Sequence, residues 1–257
     1  MKSLLRLLYV GTILARLHIV SYLTSIINGV LWLVLVLVPS IVLTGRTVEA
    51  LLTFLPGVFA LIAASSGMWT ATEFLRFYVY QGLTDMFREC GLTVFHYLVC
   101  GIHIDVLLIG LATYLLASTV SCLYLGVDLS ILVPGDPIAI AIAFVTAIAS
   151  YMLCGSLIAY LYTVTRIGGV WTNLIQMLLV IGTIIPPSVL PSPWIALINP
   201  ATIVAELLRA SYGTNILPKN TLFILSLPLT AIYIVLSYVV SKACERHIAR
   251  YGVEYRY

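Results

Sequence analysis

The chain has 257 residues, of which 61% are hydrophobic and only 9% are charged, and its net charge is +3. A soluble globular domain is about 25% charged, so this composition excludes an ordinary water-soluble protein and predicts an all-α integral membrane protein. Almost the whole length is apolar, which leaves no room for a separate soluble domain, and nothing in the charge indicates a nucleic-acid partner.

Six runs free of Asp, Glu, Lys and Arg are long enough to cross a bilayer, whose core needs about 20 apolar residues per helix. The sequence therefore predicts six transmembrane helices within a single domain of residues 1–257. Their approximate bounds are residues 19–43, 51–71, 99–125, 138–163, 169–186 and 220–241.

The distribution of basic residues predicts the orientation. The apolar run over 167–205 could hold one span or two. Lysine and arginine gather on the cytoplasmic side of a membrane, and with six spans only Arg46, Arg209 and Lys219 of the 13 basic residues lie outside. We therefore expect a multi-pass protein of the cell (plasma) membrane with both termini in the cytoplasm, and one span followed by an outer loop within 167–205.

The segment before the first span predicts an interfacial helix. At about 100° per residue, Lys2, Arg6 and Arg16 fall within roughly 80° of one another, while Leu4 and Leu8 lie on a different face. A basic stripe of this kind is typical of a helix that lies on the inner leaflet and faces anionic head groups.

A short amphipathic helix is predicted inside the cell between spans two and three. Leu83, Met86, Phe87 and Cys90 fall at i, i+3, i+4 and i+7 and form one apolar face. Spacing alone leaves two interpretations open: a connector that rests on the membrane surface, or a surface that docks onto a partner protein.

Three titratable residues near the inner end of span three do not predict a metal or proton site. His96 and His103 share a helix face, but Asp105 points elsewhere, and all three are expected where polar groups reach water. The five cysteines are scattered and odd in number, so they predict neither a disulfide framework nor a zinc site.

Five of the eleven prolines lie between spans five and six. Pro186 and Pro187 are expected to end span five, because proline removes a hydrogen-bond donor and clashes with the preceding turn. The stretch from Trp194 to Arg209 is too short to cross the membrane and is broken at Pro200.

Irregular backbone at membrane depth is tolerated only against protein or a water-lined cavity. We therefore predict a re-entrant hairpin that dips back from the outer face, with a short helix over 201–210 as its second arm. Glu206 and Arg209 stand at i, i+3 in that arm and are expected to pair near the surface. The alternative is an irregular loop on the outer surface.

The hairpin segment resembles the last outer loop of ABC type-2 transporter permeases. In that family a glycine, proline-rich turns, a Leu-Pro pair, a tryptophan and an Asn-Pro-x-Thr…Glu-x-x-Arg run follow span five. The stretch between the tryptophan and the asparagine is about one turn shorter here than is usual in the family. The matching residues, in order, are Gly182, Pro187, Leu190, Pro191, Trp194, Asn199, Pro200, Thr202, Glu206 and Arg209.

The stretch from Gln81 to Gly101 is similar to the family's cytoplasmic pattern of Gly-Thr-Leu-Glu, Ser-Pro-Leu-Ser and a final glycine. Gly91 stands where proline is usual, and Leu83 and Thr84 are exchanged relative to the pattern. The resemblance implies a coupling helix that inserts into a groove of an ATP-binding subunit. Its residues would be Gly82, Leu83, Asp85, Met86, Phe87, Cys90 and Gly91.

The resemblance implies the permease subunit of an ATP-driven ABC exporter, working as a homodimer or with a paralogous permease. ATP and Mg would be held by a separate ATP-binding cassette subunit, since this chain has no Gly-x-x-x-x-Gly-Lys-Ser/Thr loop. We expect no cofactor, metal or catalytic residue in the chain itself, which is therefore not predicted to be an enzyme.

The charge-free spans favour an amphiphilic substrate of lipid, drug or glycan type, moved outward. Two alternatives stay open. One is a secondary transporter driven by an ion gradient, which should carry ionisable residues inside the membrane. The less favoured one is a polytopic membrane enzyme.

Overall fold

The computed structural model describes residues 2–17, 19–44, 47–75, 93–165 and 168–251. Within these ranges the chain is helical and has no β-strand, apart from an isolated bridge between Ile181 and Ile185. The α-helices are α1 (Lys2–Leu17), α2 (Ile19–Thr44), α3 (Thr47–Phe74), α4 (Val94–Ile102), α5 (Leu111–Leu125), α6 (Pro137–Thr165), α7 (Gly168–Val180), α8 (Thr202–Tyr212) and α9 (Lys219–Tyr251).

Shorter helical pieces connect these helices. A π-helix, His103–Gly110, joins α4 to α5 without a break, so the three pieces form one rod. Turns of 3-10 helix lie at Leu129–Leu132, Pro187–Val189 and Pro193–Ile198.

Four helical stretches in the described part of the chain are long and apolar enough to cross a membrane. They correspond to predicted spans two, three, four and six, and they agree with the predicted class of an all-α membrane-embedded protein. Their bounds are Val48–Phe74, Val94–Leu125, Pro137–Thr165 and Lys219–Tyr251.

The other two predicted spans coincide with α2 and α7. Helix α7 ends at Val180, before the prolines that were expected to end it. Gly182 takes a positive φ of 89°, which breaks the helix. The Asn199 side chain then donates hydrogen bonds to the last carbonyls of the helix, at 2.9 Å to Leu179 and 2.6 Å to Ile181. With α7 this short, six complete spans stay a prediction.

The loops meet at two opposite ends of the bundle. At one end, the N–H of Gly135 donates to the carbonyl of Ser211 at 2.8 Å, and Asp136 pairs with Lys219 at 2.5 Å. Helices α6 and α9 both begin at this end and therefore run parallel. We call it the 126–136/181–218 end.

At the opposite end, the indole N–H of Trp171 donates to the Thr165 hydroxyl at 2.8 Å. The rings of Phe95 and Tyr238 meet edge to face at 5.7 Å. The start of α4, the end of α6, the start of α7 and the C-terminal half of α9 therefore lie together, and α3 ends there as well.

Helices α3 and α6 touch backbone to backbone. A Cβ added to Gly67 would lie 2.1 Å from the carbonyl oxygen of Tyr151, and one added to Gly155 would lie 2.7 Å from the carbonyl oxygen of Gly67. Ala143 and Ala147 of α6 are fully buried. Small residues at helical spacing allow this close packing in lipid.

The predicted N-terminal helix is present as α1 and packs against α4. Gly11 lies so close to α4 that a Cβ would stand 2.1 Å from the carbonyl oxygen of Cys100. The Thr12 hydroxyl and His103 Nε2 are 3.0 Å apart. Arg6 and Arg16 are exposed, as a basic stripe requires; the Lys2 side chain lies outside the described residues.

Candidate functional site

A buried ion pair lies at the 126–136/181–218 end of the bundle. Arg209 Nη1 donates to Glu206 Oε1 at 2.8 Å, and both side chains are 0% exposed. The other carboxylate oxygen, Oε2, accepts the backbone N–H groups of Ile216 and Leu217 at 2.8 and 2.9 Å. Glu206 thus fixes the turn that leads into α9 and orients the guanidinium of Arg209.

The guanidinium of Arg209 also satisfies backbone carbonyls of two other helices. Its Nε donates to Thr53 of α3 at 2.8 Å, and its terminal nitrogens donate to Gly182 and Thr183 just after α7. Gly57 leaves room for this contact, since a Cβ there would lie 3.0 Å from Nη2. One side chain therefore ties α3, α7 and α8 together.

The ion pair forms between the predicted residues, but it is not near the surface as the sequence suggested. All side chains from Thr202 to Ser211 are buried, because α8 packs between α3, α6 and α9. Burial lowers the pKa of the Arg209 guanidinium, and the adjacent Glu206 carboxylate opposes that shift. An arginine stays protonated in proteins, so the guanidinium remains charged.

The rest of the predicted hairpin is irregular. Pro187 begins one 3-10 turn, Trp194 lies in another and is 45% exposed, and Pro191 is an exposed residue between the two. The Asn199 amide caps α7, and Pro200 follows it just before α8. The predicted second arm over 201–210 corresponds to α8, at Thr202–Tyr212. Whether the hairpin enters the membrane stays a prediction.

A polar cavity of about 470 Å³ opens beside the ion pair. It lies between α3 and the chain segments that flank α8. Thr53 belongs to its wall and also accepts the hydrogen bond from Arg209 Nε. The lining residues are Glu49, Thr53, Pro186, Ser188, Gly213, Thr214, Asn215 and Ile216.

A second cavity, of about 260 Å³, opens on the side of the bundle between α2, α3 and α7. We call it the side cleft. Its polar residues are Asn28 of α2, Ser65 and Ser66 of α3 and Gln176 of α7, and the half-exposed Trp69 lies beside them. The apolar remainder of its wall is Gly29, Val58, Leu61 and Ile62.

The polar groups of the side cleft stand at one depth. Asn28, Ser65 and Gln176 are each eight or nine residues from the end of their helix opposite the Arg209 end. At 1.5 Å per residue this is about 12–14 Å from that end of the bundle.

Within the described residues, these three side chains have no hydrogen-bond partner. Ser65 Oγ is buried without a hydrogen bond in the described part of the chain. The side-chain amides of Asn28 and Gln176 likewise make no hydrogen bond there. An unpaired amide or hydroxyl in hydrocarbon costs several kcal/mol, so these side chains favour a polar group bound in the side cleft.

The position of Asp105 differs from the one that the sequence predicts. It was expected to reach water near the end of its span, but it is 7% exposed and lies in the π-helix. Its Oδ2 accepts hydrogen bonds from Thr70 and Tyr151. His103, two residues earlier, faces Thr12 of α1 instead. No group of three or more His, Cys, Asp or Glu residues that could hold a metal ion occurs in the described ranges.

The predicted coupling helix lies outside the described residues, so the structure does not locate it. This applies to Gly82, Leu83, Asp85, Met86, Phe87, Cys90 and Gly91. The four other cysteines, Cys100, Cys122, Cys154 and Cys244, are free and buried, and they act as small apolar side chains.

No protein-family model, curated protein or solved structure matches the chain. The resemblance to ABC type-2 permeases therefore rests on the two sequence motifs alone.

Proposed function

We propose that the chain is the membrane-spanning subunit of an ATP-driven ABC exporter that moves an amphiphilic molecule of lipid, drug or glycan type outward. It would bind a separate ATP-binding cassette subunit through the predicted coupling helix and pair with a second permease. Both termini would lie in the cytoplasm of a plasma membrane protein with six spans.

The structural observation that supports an amphiphilic substrate is the side cleft. Asn28, Ser65 and Gln176 present hydrogen-bonding groups in a cavity with apolar walls on the side of the bundle. A cavity that combines apolar walls with a few polar groups suits a molecule with both kinds of surface.

The Arg209 network supplies the second element that a transport path needs. It joins α3, α7 and α8 at the 126–136/181–218 end, which the charge distribution predicts to lie outside the cell. A cluster that links three helices at one end of a path is suited to closing that end until the helices move.

The test is reconstitution of the purified permease with the ATP-binding subunit that co-purifies from its own membranes. ATP hydrolysis in proteoliposomes would be measured with added lipids, hydrophobic drugs, glycans and simple ions. We expect stimulation by at least one amphiphile. Failure of any ATP-binding subunit to co-purify, or a response to ions alone, would contradict the proposal.

Matched variants connect this assay to the side cleft. Asn28→Leu and Gln176→Leu remove its amides, whereas Asn173→Leu removes an exposed amide of α7 outside the cleft. We expect the first two to lose amphiphile stimulation while basal ATP hydrolysis persists, and the third to behave as wild type. Equal behaviour of all three would exclude the side cleft as the binding site.

A secondary transporter driven by an ion gradient is the second candidate, and Asp105 is the observation that favours it. A buried carboxylate within an apolar helix is the kind of residue that such transporters use. Transport that persists without ATP and stops when an ionophore collapses the gradient would select this candidate over the first.

A further inference from the structure

We propose that Asp105, Thr70 and Tyr151 form a proton-binding site inside the helix bundle, with Asp105 as the group that binds the proton. The site belongs to neither the side cleft nor the Arg209 network. The proposal does not depend on which energy source drives transport.

Three elements converge on one carboxylate oxygen. Asp105 Oδ2 accepts a hydrogen bond of 2.6 Å from the Thr70 hydroxyl of α3 and one of 2.8 Å from the Tyr151 hydroxyl of α6. Asp105 itself belongs to the π-helix, a local feature that often occurs at functional sites. The carboxylate thus joins α3, the π-helix and α6.

Glycines provide the space that these hydrogen bonds need. A Cβ added to Gly101 would lie 2.6 Å from the Tyr151 hydroxyl and 2.7 Å from Asp105 Oδ2. Gly67 allows α3 to approach the backbone of Tyr151. A residue larger than glycine at either position would displace the groups of the site. The close approach of these helices therefore depends on the two glycines.

The carboxylate has no cationic partner. Among the described residues, no lysine, arginine or histidine forms an ion pair with Asp105. A buried charge is costly unless it is paired, and the two hydroxyl donors offset only part of that cost. A proton removes the charge entirely, and no metal-ligand cluster is required.

Three titratable groups of neighbouring elements lie near the site. Glu73 of α3 is the further charged group that acts on Asp105. Tyr97 of α4 acts on Tyr151 rather than on the carboxylate. His103 of the π-helix is directed to α1.

Proton binding changes the bonds that hold the three elements together. The proton adds to a carboxylate oxygen, so Asp105 becomes a neutral acid that can donate as well as accept. The bonds from Thr70 and Tyr151 are then no longer charge-assisted, and charge-assisted hydrogen bonds are about twice as strong as neutral ones. Protonation therefore loosens the link between α3, the π-helix and α6.

Infrared difference spectroscopy of the purified, detergent-solubilised chain tests the proposal directly. The pH would be varied over the range in which circular dichroism shows an intact helical fold. We expect the wild type to show a protonated-carboxyl C=O band already at a pH where exposed carboxylates are still ionised, and we expect this component to be absent from Asp105→Asn. The band should persist in Asp136→Asn, which removes a partly exposed carboxylate outside the bundle core.

Two further variants keep the wild-type carboxylate, so the test does not depend on the folding of Asp105→Asn. Thr70→Val and Tyr151→Phe each remove one donor to Oδ2. Since those donors stabilise the ionised form, the band should appear at higher pH in both variants. Identical spectra for the wild type and Asp105→Asn would overturn the proposal. So would a band whose pH dependence is the same in the wild type, Thr70→Val and Tyr151→Phe.

Discussion

Arg209 and Glu206 form an ion pair that is completely buried and that reaches three backbone segments besides its own helix. An exposed pair would contribute about 0–1 kcal/mol. A buried pair behaves differently: removal of one partner strands a charge in the protein interior, which costs about 3–5 kcal/mol.

We therefore predict that Arg209→Met lowers the unfolding temperature of the detergent-solubilised protein strongly, by an amount equivalent to about 3–5 kcal/mol. Tryptophan fluorescence during heating would measure it. The double variant Glu206→Gln with Arg209→Met leaves no stranded charge and should recover part of the loss. Near-wild-type stability of Arg209→Met would contradict the buried network.

A second prediction concerns the ion pair between Asp136 and Lys219. Asp136 also caps α6, since its Oδ1 accepts the N–H groups of Ile138 and Ala139. The Lys219 ammonium, followed by the N–H of Ala139, holds the pKa of Asp136 below its usual value. A carboxylate with a lowered pKa in the folded state stabilises above the unfolded-state pKa, and this contribution is lost as the pH falls through the folded-state pKa.

Asp136→Asn should accordingly unfold at a lower temperature than the wild type at neutral pH, because asparagine keeps the helix cap but loses the ion pair. The difference should shrink as the pH falls below the ordinary aspartate pKa of about 3.9. It should shrink in high salt as well. A difference in unfolding temperature that changes with neither pH nor salt would show that the ion pair contributes nothing to stability.

The predicted coupling helix gives a third test. Phe87 lies on its apolar face and Asp85 on its polar side. If the apolar face docks into a groove of an ATP-binding subunit, Phe87 is a candidate hot spot, where truncation costs roughly 2 kcal/mol or more of binding. We expect Phe87→Ala to insert normally but to lose the ATP-binding subunit on purification or to uncouple ATP hydrolysis from transport.

Asp85→Ala is the matched control and should have a smaller effect than Phe87→Ala. A connector helix that rests on lipid head groups predicts something else. Co-purification and coupling would then stay at wild-type levels in both variants, and the main support for ATP-driven transport would be removed.

The orientation of the hairpin gives a fourth test. Single cysteines at Ser192 and Thr214, in a background without the native cysteines, should both react with an impermeant thiol reagent from outside the cell. Both positions are partly exposed in the structure. A cysteine at the exposed Arg246, at the opposite end of the bundle, should react only after the membrane is permeabilised. If Ser192 and Thr214 label from different sides, the segment between them crosses the membrane and the six-span interpretation is wrong.

Much of the helical framework could be predicted from apolar runs and charge. The charge-free stretches located the four long helices, and the position of Pro200 located the start of α8 to within a few residues. These features could be predicted because each of them depends on residues that are close together in the sequence.

The burial of Glu206 could not be predicted in the same way. Its Oε2 partners are backbone N–H groups of Ile216 and Leu217, and backbone groups have no sequence signature. The end of α7 depends on the Asn199 side chain, which comes from beyond two intervening turns. The prolines that were expected to end α7 occur only after the chain has already turned.

The side cleft and Asp105 have a weaker signature in the sequence. Asn28, Gln176 and Asp105 are each a polar residue inside or beside an apolar run, which marks a functional candidate in a membrane protein. Their depth and their partners depend on three different helices, however, and only the folded chain brings these helices together.

The glycine contacts between α3 and α6 have a mechanical consequence. Gly67 and Gly155 bring the two backbones into direct contact, so neither helix can slide along the other without a steric clash. We expect α3 and α6 to stay fixed relative to each other in any transport cycle while other helices move. The moving elements would then be α2 and α7, which line the side cleft with α3; among the described residues, no glycine of α2 or α7 brings its helix into contact with α3.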